Sequence, residues 1–342
     1  MMIFFKISKK KEKKIRLVSL KCVILHSLYI LLYNYMINRE IIRLKVVQIT
    51  YAFYQNGGKN IDAAEKELFF SLSKAYDLYH YLLLLLVEIN RMAVRTVETA
   101  QARQARLRSA ESVNTRFIEN RFILQLEDNL QLKEYCEAQK RSWADEETFV
   151  RSLYKQITET DYYKEYMEAQ ETTYAEDREL WRKIYKNVIY NNERLEALLE
   201  DQSLYWNDDK YIVDTFVMKT IKRFEEKNGA GQELLPEFSS DDDRDFAHRL
   251  FRSSLLNVDY YRKLVGANLR NWEAKRIALM DMVIMQVALA EILTFPKIPL
   301  NVTLNEYVGI AKMYSTPRSG FYINGVLDHI AKTLIAEKKL DK

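Results

Sequence analysis

The chain has 342 residues, enough for one large domain or two ordinary ones, and holds only 8 Gly and 4 Pro. Scarce breakers and long mixtures of Leu, Ile, Tyr, Glu, Lys and Arg argue for an almost wholly α-helical protein. Two cysteines, Cys22 and Cys136, exclude a disulfide framework and fit a reducing cytosol. The net charge of +4 is uneven: residues 1–35 carry +7, residues 36–240 about −6 and residues 241–342 +3. No global basic field exists, so any nucleic-acid binding has to be local.

Residues 1–35 place a lysine-rich run before the apolar stretch Cys22–Tyr33. That stretch is short for a membrane span, contains His26 and leads to no small-residue cleavage site. We therefore expect Met36 to be the native start and 1–35 to be a non-native or disordered leader. An amphipathic tail and a membrane anchor are the alternatives.

From Met36 the pattern is an amphipathic helix, capped by Asn38 and ended after Gln55 by "NGGKN". A second helix starts near Asp62. Its run Leu82–Val87 is apolar all round, which predicts a buried bundle helix rather than a membrane segment. These two helices make up a first segment, 36–99. Residues 100–240 form a second, charged and Tyr-rich helical segment closed by the linker-like "KNGAGQELLPEF". Its arginines between Arg91 and Arg121 are interleaved with Glu and Gln, which reads as a solvated helix face; contact with nucleic acid is the sharper alternative.

Residues 241–338 form a compact third segment. "SDDDRDF" opens it with helix-capping acids, and "NWEAKRIALMDMVIMQVALAEILTF" is the most apolar helix of the chain. After Pro299, Asn305 and Glu306 read as the start of a further helix. In the last helix Ile323, Leu327, Ile330 and Leu334 return at steps of three and four, yet the turn-forming pair Asn324-Gly325 sits in its first turns.

The residues "WEAKRIALMDMVIMQVALAEIL", "IPLNVTLNEYVGIAKMYS" and "FYINGVLDHI" together resemble the NusB family of transcription antitermination factors. The match covers about 100 residues: Glu291, Pro299, Val302, Asn305, Glu306, Ala311, Lys312, Tyr322, Asn324, Gly325, Val326, Leu327 and Asp328. The first helix resembles the family's Arg-rich opening helix through Arg39, Arg43, Gln48, Tyr51 and Phe53, although Ile41 and Ile42 replace basic or small residues. The middle segment resembles the insertion of long, Bacteroidetes-type NusB-like proteins. The resemblance implies an all-α, NusB-like helical bundle of two subdomains with a long helical insertion between them. It implies a cytoplasmic antitermination factor that joins NusE, a small-subunit ribosomal protein, on boxA-like single-stranded RNA of nascent rRNA transcripts, within an RNA polymerase antitermination complex.

Single-stranded RNA is held by cations on its phosphates and by stacking of its bases. Arg39 and Arg43 lie at i, i+4 on one face, and Tyr322 and Asn324 sit near a helix N-terminus. The expected RNA-binding set is Arg39, Arg43, Lys45, Tyr51, Tyr322, Asn324 and Gly325, with the first and last helices side by side. Asp281 and Glu291 are expected to contact a partner. Gly325 either keeps a surface low for RNA or permits helix–helix contact, with Tyr322 then a core aromatic. No cofactor, metal set or catalytic residue is expected, because the four histidines have no metal-ligand spacing and no Gly-rich phosphate loop occurs. The rival readings are a helical protein-binding scaffold without RNA binding and an RNA-modifying enzyme with a NusB-like domain.

Overall fold

The computed structural model describes residues 37–107, 112–238, 240–268, 277–316 and 318–342. The expectation about residues 1–35 and the start at Met36 lies outside the described residues. Every regular element among the described residues is helical.

The first helix, α1 (Arg39–Gln55), begins where the sequence places it: the Asn38 side chain accepts from the Ile41 amide at 3.0 Å. Gly57 and Gly58, at φ of 83° and 59°, close it by returning their amides to the carbonyls of Tyr54 and Phe53. Next, α2 (Ile61–Leu107) is a single helix of 47 residues that runs through position 100. Its Leu82–Val87 run is buried, as the sequence predicts. No described helix is long and apolar enough to cross a membrane.

The insertion comprises α3 (Arg121–Glu127), α4 (Leu130–Gln139), α5 (Glu147–Glu159), α6 (Asp161–Glu168), α7 (Tyr174–Ile184), α8 (Glu193–Gln202) and α9 (Lys210–Arg223), of which α3, α4, α5 and α9 pack on α2. Many of its tyrosines face inward, each with an apolar ring in the core and a hydroxyl on an internal acceptor. Tyr166 donates to Asp177 at 2.8 Å and Tyr185 to Asp214 at 2.6 Å. Tyr81 is sandwiched between Trp143 and Trp206, with centroids at 4.1 and 5.5 Å. Much of the Tyr-rich character of this segment therefore serves its own interior.

"KNGAGQELLPEF" is an ordered strap rather than a free linker. Leu234 and Leu235 are buried; Asn129 donates to the Gln232 carbonyl at 2.6 Å and Tyr76 to the Leu235 carbonyl at 3.0 Å. Gly229, at φ of 49°, supplies the bend.

The chain then builds the compact end from α10 (Asp241–Leu256), α11 (Val258–Ala267), α12 (Leu279–Thr294), α13 (Leu300–Tyr314) and α14 (Ser319–Ala336). The central rod is α12, buried on all sides between α1, α10, α11, α13 and α14. Because α13 begins at Leu300, Asn305 and Glu306 lie in its second turn and do not cap it.

Candidate nucleic-acid interface

The first helix is almost wholly enclosed. Residues Ile41–Val47 are buried, and α10, α2, α12 and α13 surround them. Arg39 and Arg43 do share a face, but it is turned toward α10, where both guanidinium groups lie over the Phe246 ring at 4.9 and 5.6 Å. Arg39 stays partly exposed and reaches Asp243 at 3.3 Å.

Arg43 is only 4% exposed and forms a two-pronged ion pair with the fully buried Glu291, at 2.7 and 3.0 Å. Thr303 and Tyr307 donate to the same carboxylate at 2.8 and 3.1 Å. Burial and the adjacent carboxylate push the Tyr307 hydroxyl far above its ordinary pKa. Desolvation opposes the charge on Arg43, but Glu291 outweighs it and the guanidinium is held more firmly protonated than usual.

Lys45 is likewise internal. It pairs with Asp209 of the insertion at 2.8 Å and donates to the Tyr205 carbonyl at 3.0 Å. Desolvation raises the Asp209 carboxyl to about 6 despite that lysine. Gln48 reaches Asp208 at 3.0 Å and the Tyr314 hydroxyl at 2.7 Å. Thus α10 and α12 cover the Arg43 side of α1 and the insertion covers the Lys45 side, and Arg43, Lys45 and Glu291 are out of reach of an external ligand.

Asp281 is also partnered. It is 8% exposed and accepts from the Ser315 and Ser319 hydroxyls, which fastens the turn between α13 and α14 to the start of α12. A buried carboxylate needs such donors, and they leave it an internal clamp rather than a partner contact.

The first and last helices are not laid side by side. α14 packs on α13, α12 and α11, while α1 packs on α10, α2, α12 and α13. Arg43 meets α12 at Glu291, and α14 meets it at Asp281. Those positions are ten residues apart, roughly 15 Å along a helix. What lies near the start of α14 is the other end of α1: Gln48 holds Tyr314, one residue before Ser315, and Gln286 donates to the Tyr54 hydroxyl at 2.8 Å. Tyr51, on this last turn, is half-buried and accepts from Gln55 at 2.9 Å.

The start of α14 is the most open part of this end. Phe321 is 83% exposed, and Asn324 and Gly325 are exposed with it. The three share one face, at i, i+3 and i+4. Tyr322 points to the neighbouring, half-buried face, where burial and Asp281 raise its hydroxyl pKa. A Cβ built at Gly325 would meet nothing within 4 Å, so no helix packs there among the described residues. The close-packed glycine is Gly320: a Cβ there would stand 3.3 Å from Lys312 Cγ and 3.6 Å from the Val308 carbonyl. Gly320 lets the Lys312 stem lie across the start of α14, beside Phe321. Lys312 and Arg318 are exposed and make no ion pair among the described residues.

Sequence reasoning missed Phe321, Lys312 and Arg318 as site residues. Helical spacing from Asn324 and Gly325 carries the signal for Phe321. Among the described residues no group of His, Cys, Asp and Glu is arranged to hold a metal. The arrangement offers two cations, an open aromatic face, an amide side chain and a bare backbone patch around one helix start.

A profile of the NusB family matches residues 212–332. The transcription antitermination protein NusB of Salinibacter ruber is 36% identical over 132 residues, 37% of this chain and 82% of its own length. That of Dictyoglomus turgidum is 37% identical over 112 residues, 32% of this chain and 78% of its own length. Among solved structures, NusB of T. maritima is 25% identical, with 44% of this chain and 90% of that one covered, at a TM-score of 0.26. The profile match ends inside α14 and includes the exposed face just described, and with four-fifths of the Salinibacter relative covered, the chain belongs to the NusB family.

Proposed function

We propose that this protein is a non-enzymatic transcription antitermination factor that binds boxA-like single-stranded RNA of nascent rRNA transcripts together with NusE. The observation that carries the reading is the open aromatic face of Phe321 beside Asn324, Gly325, Lys312 and Arg318, inside the segment that matches the family. An unpaired base stacks on Phe321, and Tyr322 closes one side. Lys312 and Arg318 take phosphates, with the α14 N-terminus adding its amides. Asn324 donates to a base edge or phosphate, and Gly325 lets the strand approach the helix backbone. Tyr51, on the last turn of α1, forms the far wall. NusE extends the platform, and the pair acts in the RNA polymerase antitermination complex in the cytoplasm.

The test is fluorescence anisotropy of a labelled boxA RNA with and without NusE. Binding is tighter with NusE, and its salt dependence is shallow, with a slope of about −1.5 to −2 for two or three phosphates on a single strand. Phe321→Ala and Tyr322→Ala each lose binding, the former by about 1–3 kcal/mol, the usual worth of one stacked base. Absence of RNA binding in both conditions would leave a helical scaffold that binds protein only.

A further inference from the structure

The last ten residues of α2 stand clear of the body. Every residue from Glu98 to Leu107 is exposed except Ala100 and Gln104, which are half-exposed. "AQARQAR" is built from strong helix formers, so this end keeps its helix with no packing partner among the described residues. Arg95, Thr99, Arg103 and Arg106 follow at steps of four, four and three, on one side of the helix.

The pairing pattern sets these arginines apart. Arg91, one turn earlier, is held by Glu88 and Glu127, each at 2.7 Å. In the insertion, Arg121 pairs with Asp177, Arg151 with Glu147 and Arg182 with Glu179, while Arg178 donates to the Phe224 carbonyl. Arg95, Arg103 and Arg106 have no ion pair or hydrogen-bonded acceptor among the described residues, and Glu98 is the only acid from Met92 to Leu107. Favourable interaction with the helix C-terminus reaches only the last turn, so it accounts for Arg103 and Arg106 but not for Arg95. This basic stripe stands out in a segment, residues 36–240, whose net charge is about −6.

We propose that the projecting end of α2 is a second RNA contact, which tracks the phosphate backbone of the transcript beyond the boxA-like element. The proposal rests on the RNA-binding reading of the α14 face. Three unpaired guanidinium groups spread over about 17 Å of one helix face suit a run of phosphates. A protein partner would need an apolar or aromatic anchor at the centre of the contact, and the one large apolar side chain exposed along this end, Leu107, sits at its tip. The stripe occupies the last third of α2, and Leu107 lies about 70 Å along the helix from Ile61.

The test compares wild type with Arg95→Gln/Arg103→Gln/Arg106→Gln, three changes at exposed positions, each protein first shown by thermal melting to be folded. Two probes are used: a short boxA RNA, and the same RNA carrying an unstructured extension of about 30 nucleotides, tried on either side. Wild type binds the extended RNA roughly tenfold more tightly than the short one, through a tethered second contact, and with a steeper salt slope. The triple variant loses that gain and the added slope, and binds the short RNA as wild type does. Equal binding of the extended RNA by both proteins overturns the arm contact and leaves the α14 reading standing. Failure of wild type to bind the short RNA overturns the α14 reading instead. If the variant binds both RNAs normally but assembles poorly with NusE, the stripe is a protein contact and the proposal falls.

Discussion

Gly325 and Gly320 show how two glycines of one helix serve different ends. At Gly325 the space for a methyl group is free, so Gly325→Ala adds helix propensity and raises the stability of the free protein by up to about 1 kcal/mol. On the proposed function the same methyl group stands in the path of the RNA strand, so RNA binding is expected to weaken while thermal stability rises. Paired melting and anisotropy measurements check both signs. Arg43 and Glu291 behave in the opposite way. Removing either partner strands a buried charge, and Arg43→Ala costs about 3–5 kcal/mol in a denaturant titration. Arg43→Met with Glu291→Leu, which removes both charges at once, costs less. His80 gives a pH signature. It stacks on Tyr135 at 3.9 Å, and burial lowers its pKa from 6.5 to about 4, so it is neutral in the fold. Between those values the unfolded chain takes up a proton that the folded chain refuses, and this contribution to stability is lost as pH falls from 6.5 toward 4. The loss from this residue is about 2 kcal/mol by pH 5. His80→Phe flattens that part of the stability–pH curve.

At the scale of the element, the boundaries of α1 were legible because Asn38 and Gly57-Gly58 are local signals that act on neighbouring amides. Its environment was not. Two arginines one turn apart look the same whether they face water or an aromatic ring on another helix. Only α10 and the insertion, both distant in sequence, settle that Arg43 and Lys45 turn inward. The all-apolar pattern of α12 announced its burial, and the single Asp281 within it announced a need for partners, though not that Ser315 and Ser319 would supply them. The strap before α10 looked like a linker because Gly and Pro mark irregular backbone. The side chains that pin it, Asn129, Gln131, Tyr76 and Tyr79, lie more than a hundred residues away. Cutting those ties, as in Asn129→Ala, is expected to loosen the strap and speed its proteolysis at Gly229–Gly231 while RNA binding at α14 persists.

At the scale of the whole molecule, the insertion is part of one continuous core. A single cluster of buried apolar side chains runs from Ile37 through the insertion to Leu340. Lys45–Asp209 and Gln48–Asp208 tie the insertion to α1, and Tyr79–Thr220 ties it to α2. Replacing residues 112–238 with a short loop would uncover the apolar run of α2 and the Lys45 ammonium together. The full chain is therefore expected to unfold in one cooperative transition by calorimetry, with equal van't Hoff and calorimetric enthalpies. The shortened chain is expected to be insoluble rather than a smaller stable domain.

The Arg43–Glu291 pair has a further consequence, for synthesis. The two residues are 248 positions apart, and every helix that encloses α1 is translated after it. At about 5–20 residues per second, Glu291 leaves the ribosome roughly 12–50 s after Arg43. Through that interval Ile41, Ile42, Leu44, Val46 and Val47 have only α2 of their final neighbours beside them, so the sides of the first helix that α10, α12 and α13 later enclose depend on chaperone cover.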